Sequence, residues 1–298
     1  MSEQTTPSKP EAFWLAARPK TLPAAVMPVL IGTAVAYHQE VFHLLPALAA
    51  MFCALLIQIG TNYANDLLDY QAGTDNDFRL GPERAVASKW LTEREMLIGT
   101  VTVFMATVPM GMYLIYVAGL PVLVIGLVSI AAGIAYTGGP YPLAYNGLGD
   151  LFVFIFFGIV ATVGTYFVQA ESVSLLAFLA SLPAGGLTTA ILVINNYRDI
   201  DTDKTTNKNT LAVILGKAGT RIEYVILLVI SYLIPVILYF IFHFSSWILL
   251  PWLTLPLAIQ LCRMLFAGMQ GRQLNALLEK TARLTLVYGL LFSIALII

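Results

Sequence analysis

The chain has 298 residues, of which 58% are hydrophobic and only 11% charged, with a formal net charge of −1. Soluble globular proteins carry about 25% charged residues, so this composition excludes a water-exposed surface of ordinary polarity, and the apolar content excludes disorder. The charge balance excludes a nucleic-acid binder built on a basic patch; Cys53 and Cys262 sit in apolar runs without CxxC spacing, which excludes a disulfide framework.

The first 21 residues are polar and contain prolines. They lack the apolar core of a cleavable signal peptide and read as an N-terminal tail ahead of a single membrane domain, residues 22–298. Nine apolar runs follow, at about 22–38, 44–64, 97–117, 120–137, 148–169, 173–194, 222–242, 246–266 and 282–298. Each is near the ~20 residues needed to cross a bilayer. The fold expected is an all-α membrane protein of nine transmembrane helices.

The basic residues fall in four groups. Lys9, Arg18 and Lys20 precede the first run. Arg79, Arg84, Lys89 and Arg94 lie between the second and third. Arg198, Lys204, Lys208, Lys217 and Arg221 lie between the sixth and seventh. Arg263, Arg272, Lys280 and Arg283 surround the last connection. Together these are all sixteen Lys and Arg residues. With nine spans every group lies on one face, and the opposite connections contain none. The positive-inside rule then puts the N-terminus in the cytoplasm and the C-terminus outside. Of the seventeen acidic residues only Glu40 and Glu171 fall on the outer side. Acidic residues contribute little to orientation, so their concentration on the cytoplasmic side points to chemistry there.

The second run ends in Asn62-Tyr-Ala-Asn65-Asp66-Leu-Leu-Asp69, followed by Gly73-Thr-Asp75-Asn-Asp77. The sixth ends in Asn195-Asn196-Tyr-Arg198-Asp199-Ile-Asp201-Thr-Asp203. Asn65 and Asp69 align with Asn195 and Asp199 at an offset of 130 residues. Two parallel helices thus end on the same side, each with Asn followed by Asp at i+4, on one helix face. A third position, Asp203, extends the second stripe; Asn62, Asp66 and Asp69 form another. Crowded carboxylates repel one another, and burial raises the cost. A divalent cation relieves both. Mg²⁺ prefers carboxylate oxygens and usually binds together with substrate phosphates. A charge cluster at a helix end is most often a solvated cap, but two matched copies favour a Mg²⁺–diphosphate site, with Asp66, Asp69, Asp75, Asp199 and Asp203 as candidate ligands.

Basic residues follow both motifs. Arg grips phosphate oxygens bidentately and Lys adds a point charge, so Arg84, Arg198, Lys204 and Lys208 are candidate diphosphate contacts. Arg18 reads equally as an anchor or a site residue. The connection between the fourth and fifth runs, from Tyr136 to Asp150, has no Lys or Arg but is rich in Pro, Gly and Tyr. Tyr136 and Tyr145 read either as a stacking surface for a flat aromatic substrate or as ordinary interfacial tyrosines. His38, His43 and His243 fall on the outer side without metal-ligand spacing.

At Arg18-Pro-Lys-Thr-Leu-Pro23, Asn62-Tyr-Ala-Asn-Asp66, Gly73-Thr-Asp75, Gly81-Pro-Glu-Arg-Ala-Val86 and Asn195-Asn-Tyr-Arg-Asp-Ile200 with Asp203, the sequence resembles the UbiA superfamily of intramembrane aromatic prenyltransferases. Flanking patterns are most similar to its members that prenylate 1,4-dihydroxy-2-naphthoate in menaquinone synthesis. The resemblance implies nine helices around a central cavity, with both acidic motifs binding Mg²⁺ and a polyprenyl diphosphate. It implies catalytic roles for Asp66, Asp69, Asp199 and Asp203, and substrate contacts from Asn62, Asn65 and Asn195 beside the basic and tyrosine candidates. Other members usually have a third Asp where this chain has Gly73, which leaves Asp66 or Asp75 to compensate. The expected reaction is prenyl transfer with loss of CO2 and diphosphate, giving demethylmenaquinone, in a bacterial inner membrane. The alternatives are another aromatic acceptor such as 4-hydroxybenzoate and, from a different class, an ion-coupled transporter with paired intramembrane acids.

Overall fold

A computed structural model describes residues 7–74 and 80–298. The described residues are helical, joined by turns, with one isolated bridge between Asn146 and Asn209. In chain order the helices are α1 (Lys9–Ala16), α2 (Pro23–His38), α3 (Leu44–Gln71), α4 (Glu93–Ala106), α5 (Val108–Ala118), α6 (Leu120–Ala135), α7 (Gly149–Val153), α8 (Ala161–Ala170), α9 (Leu175–Thr205), α10 (Leu211–Ile241), α11 (Leu255–Phe266) and α12 (Leu274–Ile297). A π-helical stretch, Phe154–Val160, joins α7 to α8.

Local chemistry sets many of the boundaries. Thr92 and Glu95 form a reciprocal capping box at the start of α4, satisfying amide groups that the first turn leaves unpaired. Ser174 and Thr210 cap α9 and α10 by accepting an N–H from the third residue on. Pro109 stands next to the break between α4 and α5, because proline supplies no N–H and its ring crowds the preceding turn. Gly119, at φ +80°, turns the chain between α5 and α6; a side chain is disfavoured in that left-handed conformation.

Seven helical segments among the described residues are long and apolar enough to cross a membrane. The pair 9–21 and 23–38, bent by 53°, makes an eighth if it is one broken span. The run expected at 120–137 is α6, an apolar helix of 16 residues, shorter than the ~20 of a full span. The protein is an integral membrane protein, as the apolar outward faces of α4, α5, α6 and α10 also indicate: Met105, Met112, Tyr116, Leu120 and Phe240 are all largely exposed.

At the centre stands α9, whose apolar window is 78% buried; it packs against α10, α12, α2, α8 and the π-helical stretch. It meets the π-helical stretch glycine on glycine. A Cβ placed on Gly158 would lie 2.6 Å from Gly185 Cα, so two bare backbones meet where side chains would hold them apart. The N-terminal segment packs too: Ala12, Ala16 and Ala17 are buried against Tyr63, Leu67, Val86 and Met96. Between α2, α3, α5, α6, α8 and α9 lies a cavity of about 440 Å³.

Candidate active site

The helix α3 stays regular to Gln71, so the first motif projects from its last turns. Asn62, Asn65 and Asp69 line the cavity. Asp66, 1% exposed, lies behind the wall. Its carboxylate accepts the backbone N–H groups of Ala85 at 3.1 Å and Val86 at 3.0 Å. It therefore folds the 80–86 loop back onto α3, where the sequence suggested a metal ligand. That fold-back brings Arg84 onto Asp69, with Nη2 3.2 Å from Oδ2. Tyr145 donates its hydroxyl to Asp69 Oδ1 at 2.8 Å, and Thr74 stands 3.0 Å from the Tyr145 hydroxyl. Both side chains of the Arg84–Asp69 pair are more than 90% buried. Buried ion pairs are sustained only when further hydrogen bonds satisfy them; Tyr145 does so here. Asn62 donates to the Ala17 carbonyl at 2.9 Å, and Asn65 accepts from Thr137 at 2.9 Å.

In the second motif α9 continues through Asp203 to Thr205, so the polar stripe stays on one face. Asn195, Asn196, Asp199 and Asp203 line the opposite side of the same cavity. Arg198 is placed differently from its expected diphosphate-facing role. Its side chain is 1% exposed and does not line the cavity. It holds Asp199 bidentately, with Nε 2.7 Å from Oδ1 and Nη2 2.6 Å from Oδ2. Nη2 also donates to Asn195 at 2.9 Å and Nη1 to Asn275 of α12 at 2.7 Å.

Of the other cations, Arg84 and Lys208 line the cavity and so does Arg18. Arg18 adopts a left-handed backbone, φ 54°, at the bend between α1 and α2. Lys204 is solvent-exposed and does not line the cavity. Lys208 lies 5.2 Å from the Tyr145 ring centre, a cation–π distance. That cation lies over a face that, in one of the two sequence readings, would stack on a flat substrate. Tyr136 does line the cavity. Its hydroxyl can donate a hydrogen bond there.

Among the described residues no three His, Cys, Asp or Glu side chains converge tightly enough to hold an ion alone. Asp75 lies outside the described residues. The donors that face the cavity, Asp69, Asp199 and Asp203 with Asn65 and Asn195, are all hard oxygens. They suit Mg²⁺, which typically takes one or two carboxylates and completes its shell with waters and phosphate. The guanidinium groups on Asp69 and Asp199 show that both carboxylates already accept a cation.

Away from this polar mouth the cavity becomes apolar. Ala50, Cys53, Leu114, Val122, Ile125 and Val168 line its far end. Asp69 and Ala50 stand on the same helix, 19 residues or roughly 28 Å apart at ~1.5 Å per residue. Three glycines, Gly111, Gly126 and Gly164, widen that end; a Cβ on either of the first two would meet no atom within 4 Å. Phe152 and Phe156 stack between the two ends, centroids 5.9 Å apart and planes 15° apart. The sequence reading missed these glycines and aromatics, together with Asn275, because none carries charge or motif spacing; Thr74 lay inside the Gly73-Thr-Asp75 motif but was given no role.

One mouth lined by two acidic helix ends, opening onto an apolar interior, describes an intramembrane enzyme for an amphiphilic anion. The chain belongs to the UbiA prenyltransferase family, which it matches over residues 25–287. It is 37% identical over 280 residues to the 1,4-dihydroxy-2-naphthoate octaprenyltransferase of Mycobacterium tuberculosis, covering 94% of each chain. It is 36% identical over 301 residues to the Escherichia coli protein of the same name, covering 98% of this chain and 96% of that one. Among solved structures, a UbiA homologue from Aeropyrum pernix superimposes with a TM-score of 0.68 at 14% identity, over 91% of this chain and 96% of the other. An Archaeoglobus fulgidus homologue bound to DMAPP and Mg²⁺ gives 0.63 at 12% identity, over 95% and 99%. Nothing in these likenesses supports a transporter.

Proposed function

We propose that the protein transfers a polyprenyl group from a polyprenyl diphosphate to 1,4-dihydroxy-2-naphthoate, releasing diphosphate and CO2 and forming demethylmenaquinol, the hydroquinone form of demethylmenaquinone. The carrying observation is a single cavity with Asp69, Asp199, Asp203, Arg84 and Lys208 at one end and an apolar, glycine-widened interior at the other. A polyprenyl diphosphate has the same division. The names of the bacterial relatives supply the acceptor.

In this reading Asp69, Asp199 and Asp203 hold Mg²⁺, which when bound neutralises charge on the departing diphosphate. Arg84 and Lys208 contact the same diphosphate, adding positive charge where negative charge develops. Asp66 anchors the loop that carries Arg84. The carbon–oxygen bond breaks with its electron pair leaving on the diphosphate. The resulting allylic cation faces Phe152 and Phe156, whose rings attract cations. The acceptor attacks from the ring carbon bearing the carboxylate. That carboxylate then leaves as CO2, its bonding pair returning to the ring, so no separate base is required. Tyr136 orients the acceptor by donating to one of its oxygens. The apolar interior takes the tail and excludes water, which would quench the cation.

We place the site at the cytoplasmic face of a bacterial inner membrane, in a nine-span topology with the N-terminus inside and the C-terminus outside. The sixteen basic residues on one side support this. A cytoplasmic signal from a reporter fused after Ile298 would overturn the topology. The function is tested by mass spectrometry of products from 1,4-dihydroxy-2-naphthoate, a polyprenyl diphosphate and Mg²⁺. The expected product has lost the carboxylate. A prenylated product that retains it, or preferential use of 4-hydroxybenzoate, contradicts the proposed reaction.

A further inference from the structure

We infer that Asn275, on α12, is a positioning residue that sets the second acidic motif and the 80–86 loop together. The helix α12 carries no acidic motif, yet its first turn reaches both. Asn275 Oδ1 accepts from Arg198 Nη1 at 2.7 Å, while its Nδ2 donates to the Leu80 carbonyl at 3.1 Å. One amide therefore joins three segments distant in sequence.

Arg198 is the intermediary. Its guanidinium is planar and nearly inaccessible to solvent. Nε and Nη2 are committed to Asp199, and Nη2 also to Asn195. Asn275 supplies the acceptor for Nη1 and so fixes the remaining corner of the plane. A rigid fork held at its corners fixes the carboxylate it grips, which orients Asp199 toward the cavity. Residues that orient metal ligands change metal affinity although they never touch the metal.

The loop shares the arrangement. A Cβ on Gly81 would lie 2.8 Å from Arg198 Nη2, so the loop backbone rests against the guanidinium edge. The loop is thus held at its start by Asn275 and at its end by Asp66, through Ala85 and Val86. Arg84 lies between those anchors. Asn275 accordingly has two separable effects: the acceptor oxygen tunes Asp199, and the donor nitrogen tunes the placement of Arg84.

This inference rests on the reading of Asp199 as a metal ligand, and its test separates the two. Mn²⁺ binding to the detergent-solubilised full-length protein is followed by electron paramagnetic resonance, alongside KM and kcat for the polyprenyl diphosphate. Asn275→Ala is expected to weaken Mn²⁺ binding about tenfold and to raise KM for the donor, with kcat at saturating metal largely kept. Asn275→Asp keeps the oxygen and loses the N–H. It is expected to retain Mn²⁺ affinity while still raising KM. Asp199→Ala serves as the control and loses Mn²⁺ binding. If that control binds Mn²⁺ normally, the reading beneath the inference fails. If the control loses Mn²⁺ while Asn275→Ala keeps wild-type affinity and KM, Asn275 is not a positioning residue. Equal loss of Mn²⁺ affinity in Asn275→Asp and Asn275→Ala also overturns the inference, because the retained oxygen would then have no effect. Should Asn275→Ala not fold, Asn275→Asp alone decides: normal KM refutes the inference and the split supports it.

Discussion

The ends of α3 and α9 carry matching motifs, but they are held in opposite ways. On α3, Asp69 is gripped from outside its helix, by Arg84 and by Tyr145. On α9, Asp199 is gripped by its own neighbour Arg198, which Asn275 of α12 then steadies. The span containing α3 is only 28% buried, whereas that of α9 is 78% buried. A helix embedded in the bundle brings its own partner into a dry, crowded setting. A peripheral helix is served by loops. The repeat in the sequence therefore does not extend to a shared local structure.

The largest expected effect removes the task at both ends. Asp69→Ala and Asp199→Ala should each lower prenyl transfer by at least roughly a hundredfold, the scale for losing a major electrostatic contribution to a transition state. Product formation by the inserted, purified variants measures it. Full activity in either one would break the assumed equivalence of the two ends. Next comes Tyr145→Phe, which touches only the α3 end. Losing a hydrogen bond to a charged group costs about 1.5–3 kcal/mol, so a loss on the order of tenfold or more is expected. Mn²⁺ titration of this variant should show weakened binding, and its combination with Asn275→Ala should depart from additivity, because Asn275 also holds the loop whose Arg84 shares Asp69 with Tyr145.

A third expectation concerns the apolar end. Gly126→Phe should leave geranyl diphosphate a substrate while reducing use of long polyprenyl diphosphates, since the added ring enters open space. An unchanged ratio of kcat/KM between short and long donors would show that the tail runs elsewhere. The smallest effect is predicted for Lys204→Ala. That side chain points to solvent beside the α9 motif, and exposed charges contribute little. Activity should stay within about twofold of wild type; a larger loss in KM for the diphosphate would return Lys204 to the site.

Much of this was legible before the fold. Hydrophobic runs are local statistics, and they marked a membrane protein. The Asn–Asp spacing placed Asp69 and Asp199 on helix faces, and both do line one cavity. Other assignments depended on what lies opposite. Asp66 and Asp69 are three residues apart and look alike in sequence. One meets the amides of Ala85 and Val86 and the other meets the cavity, because a helix presents neighbouring positions to different surroundings. Arg198 and Arg84 were similarly indistinguishable, yet only Arg84 reaches the mouth. Asn275 carried no signal, since its partners lie 77 and 195 residues away. Composition and periodicity determined the membrane class, and motif spacing picked out the candidate site residues. Tertiary packing decided which of them line the cavity, because facing is set by segments the local sequence does not contain.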